Sequence, residues 1–124
     1  MNAYLIDSTA RTITAVEYTG LADMQKMIGG YIEVAYSFPY GDILYVDEEG
    51  LLKGPEHLFW LQDRPDQPFA GNGVLVGREI GDTERTAPPR MSLEYFSERI
   101  RFTDINELRS SIWARRSDLG GKEE

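Results

Sequence analysis

Residues 2–7 alternate, with Tyr4 and Ile6 on one face and Leu5 on the other, the period of a strand. Ser8-Thr9-Ala10-Arg11 reads as a turn, and the β-branched alternation from Thr12 to Tyr18 reads as the return strand of a hairpin. After Gly20 the period changes. Leu21, Met24, Met27 and Ile28 recur at helical spacing, and Gly29-Gly30 stops the helix. Tyr31–Phe38 and Ile43–Val46 predict two further strands around the turn Pro39-Tyr40-Gly41-Asp42. Asp47-Glu48-Glu49-Gly50 then predicts a hairpin closed by a glycine bulge, with Leu51-Leu52 beyond it.

The pattern is looser from Lys53 to Pro89. His57-Leu58-Phe59-Trp60-Leu61 is an apolar run that suits a buried strand or a turn of helix. Arg64-Pro65-Asp66-Gln67-Pro68 reads as loop, Gly71-Asn72-Gly73 as a turn, and Val74-Leu75-Val76 as a strand. Ser92 caps a helix bearing Leu93, Phe96 and Ile100, and Asp104 with Glu107 forms an acidic capping box before Ile105, Leu108, Ile112 and Trp113. The expected fold class is α+β. An antiparallel sheet (N-terminal hairpin plus meander) carries one inserted short helix and two C-terminal helices. The expected organisation is one domain over 1–124: sheet-rich 1–80, exposed loop 81–91, helical 92–117 and a frayed tail 118–124. The C-terminal helical faces predict a homo-oligomer, a dimer or higher.

Composition narrows the chemistry. The 124 residues contain no cysteine and one histidine, His57, which excludes disulfides, thiolate metal sites, cysteine nucleophiles and two-histidine mechanisms. The sequence supplies no metal ligand set and no cofactor motif. Gly71–Gly77 lacks the lysine and hydroxyl of a phosphate-binding loop and precedes a strand instead of following one. No apolar run reaches the roughly 18 residues of a membrane span, and the acidic start is unlike a signal peptide, so the expected location is cytoplasmic, with no membrane partner. The formal charge is −8. It is concentrated in residues 1–77, which hold 4 basic and 11 acidic side chains. Direct nucleic-acid binding is therefore not expected.

No catalytic residue is assigned, and the expectation is a protein without enzymatic activity. A binding site is easier to assemble. Trp60 and Phe69 offer faces for stacking, Arg64, Arg78 and Arg90 suit phosphate, and Asn72 can read a polar ligand edge. The alternative is an acidic protein that inhibits a host nucleic-acid-binding enzyme by occupying its basic surface, in the manner of anti-CRISPR or anti-restriction proteins, through an interaction tip of Asp42, Asp47, Glu48 and Glu49.

The run Gly41-Asp42-Ile43-Leu44-Tyr45-Val46-Asp47-Glu48-Glu49-Gly50-Leu51-Leu52-Lys53 resembles the hallmark of a family of small uncharacterised proteins of phages, prophages and plasmids. Tyr4-Leu5-Ile6-Asp7 and Pro68-Phe69-Ala70-Gly71-Asn72-Gly73 fit the same pattern. A more distant resemblance is to viral sponge proteins of the Thoeris counter-defence type. That resemblance implies sequestration of a nucleotide-derived signal in a bacterial host, with Asn72 as a ligand contact. Where those proteins carry an arginine near the end of the first helix, this chain has Lys26-Met27-Ile28-Gly29-Gly30.

Overall fold

The computed structural model describes residues 2–79 and 85–110. It is a mixed α+β fold of two antiparallel sheets. The larger sheet runs in the order β2 (Thr12–Glu17), β1 (Asn2–Asp7), β7 (Gly73–Glu79), β4 (Ile43–Asp47), β3 (Ile32–Ser37). A short strand, β8 (Arg85–Ala87), pairs with the far half of β7. The smaller sheet runs β6 (Arg64–Ala70), β5 (His57–Leu61), β9 (Ile100–Asp104).

Strand alternation sorts the apolar side chains into two cores. Ala3, Val74 and Val76 pack with Met24 and Ile28 of helix α1 (Leu21–Ile28). Ile6, Leu44, Val46 and Leu75, on the opposite face, pack against Phe59, Leu61 and Phe69 of the smaller sheet and Phe96 of helix α2 (Leu93–Glu98). The layers are therefore α1, larger sheet, smaller sheet. Central β7 is covered on both faces, which is why its sequence is a continuous apolar run. At Gly73 the two sheets leave no room for a side chain: a Cβ there would stand 3.1 Å from the Phe59 ring.

The helix signals hold. Gly29 ends α1 in the left-handed conformation, at φ 90°. Ser92 caps α2 by accepting from the Tyr95 amide, and Asp104 Oδ1 accepts from the Glu107 amide at 2.8 Å to start a helix over 105–110.

Four expectations are corrected. The hairpin after Asp47 does not form, because β4 is already paired on both edges, by β3 and by β7. Instead, the Asp47 carboxylate accepts from the Glu49 amide at 2.9 Å and from Lys53 Nζ at 2.6 Å, curling Gly50–Lys53 into a 3-10 turn. Gly54, not Gly50, takes the positive φ. Residues 64–68 are strand, not loop: Pro65 and Pro68 are tolerated because β6 is an edge strand with a free side. Within 81–91, Arg85–Ala87 is strand β8 and Met91 is buried. The helical stretch 92–117 is interrupted by β9, which takes Ile100 into a strand opposite Leu61. Ile112, Trp113 and the tail 118–124 lie outside the described residues. No helix among the described residues is long and apolar enough to cross a membrane.

Candidate functional site

A cleft opens beside the smaller sheet, where the β5–β6 turn meets the α2–β9 junction. It encloses about 490 Å³ and is lined by Trp60, Leu61, Gln62, Pro65, Glu98, Arg99, Ile100 and Arg101. That volume lies within the roughly 300–1,000 Å³ of small-molecule sites. Strand geometry places an aromatic and a basic side chain together. Phe59 and Leu61 turn into the core, so the intervening Trp60 turns outward, and Arg101 is its register partner on β9.

One wall is braced. Arg99 donates to both Asp63 oxygens, at 2.8 and 3.0 Å, and to the Tyr95 hydroxyl, with its guanidinium over the Tyr95 ring at 4.5 Å. The hydrogen bond to Tyr95, then Asp63, raises its pKa above the ordinary arginine value, and the same contacts hold the guanidinium in place. The Gln62 amide donates to the Arg99 carbonyl at 2.8 Å, pinning the turn to the junction. Arg101 is exposed and makes no ion pair among the described residues. The lining thus offers one half-buried indole, one braced and one open guanidinium, and a single carboxylate, Glu98.

The six residues expected to bind ligand are not brought together. Only Trp60 lines this cleft. Phe69 is a core residue, 5.7 Å from the Phe59 ring and covered by Arg64, also at 5.7 Å. Arg64 pairs with Asp66 at 3.1 Å and donates to the Ala35 carbonyl at 2.9 Å, tying β6 to the bulge in β3. Asn72 Nδ2 donates to the Met27 carbonyl at 3.0 Å, fastening the β6–β7 turn to the end of α1. Arg78 sits opposite Thr86 on the β7–β8 ribbon, and Arg90 is exposed beyond it.

The acidic tip divides as well. Asp42 is fully buried, its carboxylate accepting from the Arg90 and Met91 amides at 2.9 Å each. Asp47 is held by Lys53, leaving Glu48 and Glu49 exposed. His57 is half-buried in a separate cavity of about 210 Å³ with Asp47, Lys53 and Glu56. Among the described residues no cluster of three or more His, Cys, Asp or Glu side chains could hold a metal ion.

Residues 1–101 match the family described as a domain of unknown function, DUF3846. The chain belongs to this family. The DUF3846 region includes every residue that lines the cleft and ends on Arg101. No curated protein and no solved structure matches the chain. Arg99 and Arg101 escaped the sequence reading because the spacing of Leu93, Phe96 and Ile100 suggests a continuing helix. The alternation of Ile100 and Phe102 against Arg101 was the signal available for a strand.

Proposed function

We propose that this DUF3846 protein works by binding, and that the Trp60–Arg101 cleft takes a flat, anionic, nucleotide-derived molecule. One observation carries the reading: an outward indole and an open guanidinium are cross-strand partners in a concave site. A base stacked on an aromatic face gains on the order of 1–3 kcal/mol, and a guanidinium beside it suits a phosphate. The lining holds no serine, threonine, cysteine or histidine and only one carboxylate, a set that favours holding a ligand over transforming it. The resemblance of the Tyr4–Asp7 and Gly41–Lys53 runs to mobile-element and sponge proteins extends the proposal. In that extension an accessory protein sequesters a signalling nucleotide during counter-defence.

Calorimetric titration with cyclic ADP-ribose isomers and cyclic dinucleotides tests it. The expected result is saturable heat at micromolar ligand that Arg101→Glu abolishes. No heat at tens of micromolar for every ligand overturns it.

A further inference from the structure

A second surface lies away from the cleft, at the corner where the end of α1 meets the 3-10 turn. Its backbone is tightly knit. The Glu48 amide donates to the Tyr31 carbonyl at 2.8 Å, and Lys53 Nζ donates to the Gly29 carbonyl at 3.2 Å. The Asp47 carboxylate fits so closely over Gly30 that a Cβ there would meet it at 2.8 Å. These contacts bring residues 29–31 and 47–53 into one unit. From this unit project Tyr31, Leu51 and Leu52, which are 73%, 49% and 85% exposed.

Single exposed apolar residues are ordinary on a protein surface, but three on one fixed corner are not. The 3-10 turn buries Gly50 against Ala70 and turns its two leucines outward. The charged surroundings are acidic on balance, with Lys26 on the last turn of α1 as an exposed basic side chain set against three exposed glutamates. Glu48, Glu49 and Glu56 are exposed, whereas Lys53 is engaged by Asp47 and Gly29.

We infer that this corner is a docking surface for a basic amphipathic segment of a partner protein. Its apolar side chains pack on Leu51, Leu52 and Tyr31, and its lysines or arginines face Glu48, Glu49 and Glu56. Charge complementarity selects this occupant. The backbone of the turn is already held by the Asp47 and Lys53 contacts, so less backbone ordering remains to be done on binding. The inference is independent of the cleft.

A random peptide library displayed and selected on the immobilised protein tests it. Expected are enriched sequences that combine leucine-sized residues with lysine or arginine. Their affinity should fall at least tenfold on Leu52→Ser, and at least tenfold again on Glu48→Lys with Glu49→Lys. It should be unchanged by Arg101→Glu in the cleft. Leu52→Ser should melt with the wild type, since that side chain is almost wholly in water. Failure to enrich any peptide, enrichment without basic residues, or binding that survives both substitutions overturns the inference. Sedimentation velocity showing self-association that Leu52→Ser abolishes also overturns it, by making the occupant a second copy of the chain.

Discussion

Replacing Asp42 by alanine removes the clasp that holds the segment before α2 onto the larger sheet. The carboxylate has no solvent exposure. It accepts from the Arg90 amide through both oxygens, at 2.9 and 3.0 Å, and from the Met91 amide at 2.9 Å. Alanine leaves two amides without their partner, at about 1–3 kcal/mol for each buried donor left unsatisfied. The Met91 amide is the more deeply buried. The nearby bond from the Tyr4 hydroxyl to the Met91 carbonyl, 2.7 Å, survives and limits how far the segment can move to recover water. The expected loss is about 3–5 kcal/mol, a large share of the roughly 5–15 kcal/mol that holds a domain folded. Asp42→Asn keeps one carbonyl oxygen and should lose about half as much. Urea unfolding followed by far-UV circular dichroism measures both, with a constant slope required to compare midpoints. An Asp42→Ala loss below about 1 kcal/mol would refute the reasoning, because the amides would then have found water or another acceptor.

Three further outcomes can be checked on the same material. Gly77→Ala places a Cβ 2.0 Å from the Pro88 carbonyl oxygen, so backbone must shift; the expected loss in urea unfolding is about 1–3 kcal/mol, and none would mean that residue 88 does not cross β7 there. Phe69→Ala should cost about 3–5 kcal/mol, whereas Trp60→Ala, at the half-buried cleft wall, should cost clearly less; equal losses would contradict the placement of the two aromatics. The Asp23 carboxylate, held by the Thr19 hydroxyl and amide, and the Asp66 carboxylate, held by Arg64, both titrate below the ordinary 3.8. A depressed folded pKa gives stability that is fully present above 3.8 and is lost as pH falls through the folded value, so Asp23→Asn with Asp66→Asn should flatten the acid limb below about pH 4 and leave the slope near pH 7 unchanged.

The parts of the fold legible in sequence were those fixed by local chemistry. Alternation in 2–7 and 12–17, the Gly29 stop and the Ser92 and Asp104 caps all act within a few residues. What escaped depends on partners far along the chain. Asp47 looks like one of three turn acids, yet it curls the chain because both edges of β4 are taken by strands from elsewhere. Pro65 and Pro68 signal loop until β6 is known to be an edge. Ile100 fits a helical stripe and a strand equally well, and only pairing with Leu61 decides between them. The site followed the same division. Of the six expected contacts only Trp60 lines the cleft; the arginine opposite it on β9 was not among them, and Arg64, four residues along, is fastened to Asp66 and the Ala35 carbonyl. Phe69 and Asn72, both plausible ligand contacts by type, are used to hold the fold.

The most direct measurement is a crystal structure of the protein soaked with whichever cyclic nucleotide gives heat in the titration, or carrying ligand retained from the cell. Expected is density for a base lying on the Trp60 indole, with a phosphate within hydrogen-bonding reach of Arg101. Ligand bound at any other face, with the Trp60–Arg101 cleft filled only by water, would contradict it.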